Sequence, residues 1–132
     1  MSRPLRFPAN FRLKKGWEFD LVFRTSRRVK GELVRLLFVE TSEGLPRLGV
    51  AVGKRQGPSV VRNRGRRVLR EAFRHCRPWV RNGVWIVAML RTSGLEAKAG
   101  EIYEEMARLL DREGLLEEGI PGFFPQGEEG RD

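Results

Sequence analysis

The stretch GPSVVRNRGRRVLREAFRHC, residues 57–76, is the most informative part of this chain. Gly57 and Pro58 are typical of a helix start, and Pro78 stops a helix soon after Cys76. We therefore predict a helix from about Pro58 to about Cys76. At about 100° per residue, its apolar residues fall on one arc, which predicts that this side packs on a core. These residues are Val61, Gly65, Val68, Leu69, Ala72, Phe73 and Cys76.

The adjoining arc of this helix is almost entirely cationic. It carries Arg62, Arg66, Arg67, Arg70, Arg74 and Arg77. Glu71 and Arg64 lie near its margin. Solvated helix faces usually mix charges of both signs, because like charges four residues apart repel each other by about 0.2–0.5 kcal/mol. Phosphates would neutralise such a face, so the pattern favours a nucleic-acid partner over a merely solvated surface.

The charge of the whole chain is unevenly distributed. Residues 1–91 carry 22 Lys and Arg against six Asp and Glu, whereas residues 92–132 carry four against 11, and the chain has a net charge of +9. A basic body predicts a polyanionic partner. With one cysteine, Cys76, no signal segment and no long apolar run, we expect a cytoplasmic protein without a membrane partner.

Shorter patterns on both sides of the helix predict the rest of the fold. Apolar residues at helical spacing indicate helices at about 13–23 and 95–109. Alternating or continuous apolar runs indicate strands at 33–41, 48–52 and 84–90. This order of elements is typical of an α/β fold, in which helices pack on a mixed sheet.

Turn residues set the expected connections and boundaries. A Glu-Gly-Leu-Pro sequence follows the first strand, so we expect strands 33–41 and 48–52 to form a hairpin. We expect residues 1–114 to form one domain with an extended lead-in over 1–12. Residues 115–132 are acidic and contain glycine and proline, which predicts a flexible tail.

Three blocks of the sequence together resemble the bacterial ribonuclease P protein family. VVRNRGRRVLREAF, residues 60–73, resembles the family's signature helix, with an Arg-Asn-Arg motif, further basic residues and a terminal Ala-Phe. VAVGKR, residues 50–55, resembles its strand ending in a basic pair. RLKK with the following Glu-Phe and Val-Phe pairs, within residues 12–23, resembles its first helix. The blocks keep the family's order and spacing across about residues 11–112.

The resemblance implies a two-layer α+β sandwich with a left-handed crossover around the arginine-rich helix. It also implies that this helix binds the catalytic RNA of ribonuclease P, and that a cleft between the first helix and the sheet binds the single-stranded 5′ leader of precursor tRNA. The protein would promote endonucleolytic leader removal without catalytic side chains or a metal site of its own. The catalytic Mg²⁺ would be bound chiefly by the RNA.

Polar and basic side chains are the expected contacts with RNA. They are Lys54, Arg55, Arg62, Asn63, Arg64, Arg66, Arg67, Arg70 and Arg74. The expected leader cleft is lined by Arg12, Phe19, Phe23, Val34 and Leu36. Unpaired bases stack on aromatic rings, although two aromatic residues one helical turn apart more commonly pack in a core.

Two other function classes are open at this point. A structural RNA-binding protein, such as a ribosomal protein or an RNA chaperone, would show the same charge without a role in cleavage. A DNA-binding regulator is disfavoured, because a helix-turn-helix needs a second helix where a hairpin is expected here.

No protein active site is predicted. His75 is the sole histidine, and Glu101, Glu104 and Glu105 are expected on a solvated helix face rather than around a metal. Gly65 costs about 1 kcal/mol against alanine inside a helix, so we expect it to allow close packing.

Overall fold

The computed structural model describes residues 12–41 and 44–117. Within these residues the chain forms three α-helices and one four-stranded sheet. In chain order the elements are α1 (Gly16–Thr25), β1 (Arg27–Lys30), β2 (Val34–Glu40), β3 (Arg47–Ala51), α2 (Ser59–Cys76), β4 (Val84–Leu90) and α3 (Ala99–Arg112). The predicted α/β architecture and the central helix are confirmed.

The strands form a mixed sheet in the order β1-β2-β4-β3. β2 is antiparallel to both β1 and β4, whereas β3 is parallel to β4. The connection from β3 through α2 to β4 is therefore a crossover between neighbouring parallel strands. The left-handedness of this crossover stays a prediction.

The predicted hairpin of the second and third strands is wrong. Val87 of β4 lies between them, opposite Leu37 on one side and Gly49 on the other. β2 and β4 are the most apolar strands and take the centre of the sheet, where both faces are covered. The hairpin partner of β2 is β1, which sequence reasoning missed because Arg27 and Arg28 interrupt the apolar pattern.

Helices cover both faces of the sheet. α2 and α3 cover one face and build the large core, in which Leu36, Leu69 and Phe73 are fully buried. α1 covers the other face with a smaller cluster. That cluster contains Leu13, Val22, Leu37 and Val87.

Gly65 lets α2 pack closely on the sheet, as its position in the helix predicted. A Cβ at this position would lie 3.0 Å from Leu90 Cδ2 and 3.1 Å from Val52 Cγ2. The helix axis therefore sits nearer the strands here than a larger residue would allow.

Glu105 contradicts the prediction of a solvated acidic face on α3. Its carboxylate is buried and accepts the backbone N–H groups of Glu32 (3.0 Å), Leu33 (2.7 Å) and Val34 (2.8 Å). A Cβ on Gly31 would lie 2.5 Å from Glu105 Oε2, so the glycine allows this close approach. The buried carboxylate thus fastens the turn between β1 and β2 to α3.

The folded domain continues past the predicted boundary at residue 114. Leu115 is fully buried in the large core, Leu116 forms an antiparallel bridge with Val80, and the Glu117 N–H donates to the Trp79 carbonyl at 2.6 Å. The rest of the predicted tail, 118–132, and most of the predicted lead-in, 1–11, lie outside the described residues. No helix in the described part of the chain is long and apolar enough to cross a membrane.

Candidate nucleic-acid interface

The cationic arc of α2 forms one wall of an open concavity of about 440 Å³. We call its lining the arginine surface. It consists of Arg12, Asn63, Arg66, Arg67, Arg70 and Arg74, together with Glu71. The opposite arc of the helix is anchored in the core through Leu69 and Phe73, so the guanidinium groups face outward from a rigid support.

Like charges crowd one another on the arginine surface. Burial lowers the pKa of Arg70, and the neighbouring guanidinium groups of Arg12 and Arg66 lower it further. The side chain of Arg66 also donates to Asn63 Oδ1, which orients both groups on the same wall. An anion in the concavity would relieve this repulsion, which is the electrostatic condition for phosphate binding.

Glu71 partly neutralises one end of this surface. Arg74 grips its carboxylate with two hydrogen bonds, Nε to Oε1 at 3.0 Å and Nη2 to Oε2 at 2.6 Å. These hydrogen bonds from Arg74 are the main reason that the pKa of Glu71 lies below its usual range. His75 Nε2 lies 3.3 Å from the same carboxylate. Arg74 is therefore a weaker candidate for phosphate contact than Arg67 or Arg70, which are both exposed.

Two further arginines of the predicted set are bound to the protein backbone. Arg64 donates from Nη1 to the Leu95 carbonyl at 2.8 Å and from Nη2 to the Ala97 carbonyl at 3.3 Å. Arg62 donates from Nε to the Gly57 carbonyl at 3.2 Å. Both groups fasten α2 to neighbouring segments, so their charges are less available than the sequence pattern suggested.

Arg12 lies on a different surface from the one predicted. The extended chain at Arg12 pairs in parallel with Leu48 on the free edge of β3. Successive side chains of an extended segment point to opposite faces. Leu13 accordingly packs under α1, while Arg12 reaches the arginine surface instead of the cleft.

The sheet face under α1 carries three cross-strand rows of side chains. Following the strand register, they are Val39–Trp85–Arg47, Leu37–Val87–Gly49 and Arg35–Met89–Ala51. The middle row is buried beneath α1, whereas the side chains of the two outer rows are half-buried. The solvent-accessible surface between α1 and the sheet therefore lies along these outer rows. We call it the α1 cleft.

Phe19 and Phe23 occupy different environments on α1. Phe19 is half-buried and lies directly on β3, because a Cβ on Gly49 would be only 2.4 Å from Phe19 Cε1. Phe23 is 40% exposed. Phe19 thus serves partly as a core residue, and Phe23 presents its ring to solvent.

Val34 and Leu36 do not line the α1 cleft, contrary to prediction. Both are fully buried on the opposite face of the sheet, among the core residues under α2 and α3. Strand alternation instead turns Arg35 and Leu37 towards α1. The prediction was wrong by one residue. Because successive side chains of a strand point to opposite faces, this error placed both side chains on the wrong face of the sheet.

A depression of about 680 Å³ lies beside the outer row that contains Arg35 and Met89. Its lining comprises Arg35, Gly53, Gln56, Met89, Leu90, Arg91, Thr92 and Ser93. Lys54 and Arg55 occupy the short 3-10 turn between Gly53 and Gln56, and both are exposed. These two predicted RNA contacts therefore stand at the end of the α1 cleft rather than on α2.

An aromatic pair in the other outer row escaped the sequence reasoning. The rings of Trp17 and Trp85 lie 6.0 Å apart between centroids at an interplanar angle of 53°, and the Arg47 guanidinium carbon lies 5.6 Å from the Trp85 ring centroid. The spacing of Trp85 from Val87 and Met89 marks one face of β4. That signal was masked because the strand is apolar throughout.

Among the described residues no group of three or more His, Cys, Asp or Glu is placed to hold a metal ion.

The family model for ribonuclease P matches residues 7–114 of the sequence. The chain belongs to the ribonuclease P family. It is 36% identical over 108 residues to the ribonuclease P protein component of Symbiobacterium thermophilum, covering 81% of this chain and 94% of that protein. It is 35% identical over 122 residues to the corresponding protein of Xanthomonas euvesicatoria, covering 91% and 83%.

Solved structures agree with this assignment. The RNase P protein from Thermotoga maritima superposes with a TM-score of 0.69 at 27% identity, covering 76% of this chain and 96% of that one. The protein from Staphylococcus aureus gives a TM-score of 0.71 at 20% identity, covering 88% and 99%, which supports the fold alone. The function expected from the resemblance, that of a ribonuclease P protein subunit in an endoribonuclease complex with an RNA partner, is confirmed.

Proposed function

We propose that the arginine surface binds the catalytic RNA of ribonuclease P while the α1 cleft binds the single-stranded 5′ leader of precursor tRNA. The chain thereby promotes endonucleolytic removal of the leader, in the cytoplasm, to give the mature 5′ end. In this proposal the RNA subunit carries out the hydrolysis with its own bound Mg²⁺, which activates water and stabilises the leaving oxygen.

The observation that carries the proposal is the division of the two surfaces between the two sides of one sheet. α2 and its guanidinium groups lie on one side, and α1 with Phe19 lies on the other. Two RNA segments can therefore bind to the protein at the same time without competing for one surface. A single basic patch, as on a simple structural RNA-binding protein, would not need the second surface.

The side chains on each surface suit different forms of RNA. Guanidinium groups on a rigid helix match the fixed phosphate spacing of a folded RNA, and each can make paired hydrogen bonds to one phosphate. α1 presents the exposed ring of Phe23, and the outer row of the sheet face under α1 carries the cation Arg35, which suits a strand whose bases are unpaired. Holding both partners reduces the repulsion between their backbones, so less Mg²⁺ is required for them to associate.

A cleavage assay tests this function. The protein is mixed with a bacterial ribonuclease P RNA and 5′-labelled precursor tRNA at low, near-physiological Mg²⁺. We expect the protein to switch on cleavage at the mature 5′ end, and the double variant Arg67→Ala/Arg70→Ala to need a much higher protein concentration for the same rate. Arg108→Ala is the matched control, because Arg108 is an exposed arginine on α3 that belongs to the lining of neither concavity.

The outcome separates the two function classes. If the protein binds RNA tightly and leaves the cleavage rate unchanged, it is a structural RNA-binding protein and the proposal is wrong. The cleft is tested separately with Phe23→Ala, which should weaken binding of leader-bearing tRNA to the holoenzyme and leave binding of mature tRNA unchanged.

A further inference from the structure

Trp17 is the most exposed of the large aromatic side chains in the described part of the chain. It stands in the first turn of α1, and 57% of its surface faces solvent. Its ring leans against Trp85, whose own ring is half-buried in the outer row of the α1 cleft. The Trp17 ring thus packs against Trp85, while more than half of the side chain stays open to solvent.

The ring pair is held in place by a network of charged groups. Glu18, the neighbour of Trp17, is buried and accepts the backbone N–H groups of Lys14 at 2.8 Å and Lys15 at 2.9 Å. Its second oxygen accepts a hydrogen bond from Arg47 Nη1 at 2.7 Å. Since the Arg47 guanidinium also lies beside the Trp85 ring, this network sets the positions of both the helix start and the ring support. Such preorganisation lowers the entropic cost of binding a flat ligand.

The surroundings of the pair are cationic and continuous with the α1 cleft. Lys14 and Lys15 are exposed beside Trp17 at the start of α1. Trp85 and Phe19 pack against the same apolar cluster, so the pair lies on the sheet face that α1 covers. An open aromatic ring beside cations matches an unpaired nucleobase with its phosphate, because the base stacks while the phosphate meets the ammonium groups.

We infer that Trp17, supported by Trp85 and Arg47, is an additional stacking platform for one unpaired base of single-stranded RNA. This inference rests on the proposed function. It extends the proposed leader-binding surface beyond Phe19 and Phe23 to the outer row of the sheet that contains Trp85. The platform acts from the leader length at which a base first reaches Trp17, and a series of leader lengths therefore reveals it.

A leader-length series on the holoenzyme tests the platform. Precursor tRNAs whose leaders grow by one nucleotide at a time are bound to wild type, Trp17→Ala and Trp17→Phe in calcium, in which binding can be measured apart from cleavage. We expect wild-type affinity to rise by about 5- to 150-fold at one leader length, which corresponds to about 1–3 kcal/mol for a single stacked base. Trp17→Ala loses this step, whereas Trp17→Phe keeps most of it.

Matched measurements make the result decisive. Val60→Ala removes another exposed apolar side chain, 73% exposed on α2, and should keep the step. Thermal unfolding shows whether Trp17→Ala folds, and Trp17→Leu, which keeps an apolar contact with Trp85 but has no stacking ring, takes its place if it does not. If wild type prefers leader-bearing tRNA but Trp17→Ala has the same length profile, the platform is refuted and the proposed function stands. If wild type shows no preference at any length, the proposed leader cleft itself is refuted.

Discussion

Arg64, the last residue of the Arg-Asn-Arg motif, makes structural contacts, although its charge predicted an RNA contact. Its guanidinium donates to the Leu95 and Ala97 carbonyls, which belong to the segment leading into α3. Arg67, one helical turn away, is exposed and lines the arginine surface. We predict that Arg64→Ala mainly destabilises the fold, and that Arg67→Ala mainly weakens RNA binding.

The magnitude follows from the two hydrogen bonds of Arg64. A hydrogen bond from a charged donor contributes about 1.5–3 kcal/mol when well formed and shielded. The bond to Leu95 is short at 2.8 Å, the bond to Ala97 is long at 3.3 Å, and the side chain is half-exposed. We therefore expect Arg64→Ala to lower the free energy of unfolding by about 2 kcal/mol, or the Tm by roughly 8 °C in a domain of this size.

The assay combines thermal unfolding with RNA binding at several salt concentrations. Each lost phosphate contact reduces the slope of log K against log salt by about 0.7–0.9. Arg67→Ala should show this reduction with an unchanged Tm, and Arg64→Ala should show a lowered Tm with an unchanged slope. The reasoning is refuted if Arg64→Ala keeps the wild-type Tm and reduces the salt slope as Arg67→Ala does.

Three further predictions concern stability. Burial by itself would raise the pKa of Glu18, but the N–H groups at the start of α1 and the Arg47 guanidinium outweigh it and hold the pKa below its ordinary value of 4.5. The ionised carboxylate of Glu18 therefore adds to the free energy of unfolding above about pH 4.5, and this stabilisation is lost as the pH falls through the lower pKa of the folded state. In unfolding measured against pH, the difference in stability between wild type and Glu18→Gln should therefore become smaller in acid. Gly49→Ala should cost about 1–3 kcal/mol in urea unfolding, because its Cβ would overlap the Phe19 ring, while Gly16→Ala, with open space around it, should not. Glu105→Ala should lower the free energy of unfolding by about 3 kcal/mol, because alanine leaves three N–H groups without their acceptor. Glu105→Gln should lower it less, and equal unfolding midpoints for the two variants would contradict this prediction.

The helices and the central strands could be predicted because each has a periodic pattern of its own. α2 has an apolar arc and a cationic arc along its 18 residues, so both its bounds and its buried side could be predicted from the sequence. β1 has four residues with one buried side chain, Val29, and such a short amphipathic segment carries no usable period. Strand order was misjudged for another reason, since a turn between β2 and β3 says nothing about whether β4 enters between them.

The site was predicted less completely than the fold, because composition does not show where a side chain is used. Arg64 and Arg67 are chemically identical and three residues apart, yet one is bonded to backbone carbonyls and the other faces outward. Val34 and Leu36 were assigned to the wrong face by a register error of one. Trp17 carried no periodic signal, because its support by Trp85 comes from a strand far along the chain.

The edge of β3 connects the arginine surface with the α1 cleft. Arg12 and Leu13 lie along this edge, fixed by the bridge to Leu48 and by the Leu13 N–H, which donates to the Leu48 carbonyl at 2.9 Å. Leu13 packs beneath α1 and Arg12 reaches the guanidinium groups of α2, so neighbouring residues are tied to the two sides of the sheet. A shift of this segment would move both surfaces at once. Under the proposed function, this shared edge sets the position of a leader in the α1 cleft relative to the RNA on α2, and it thereby helps to place the leader for cleavage.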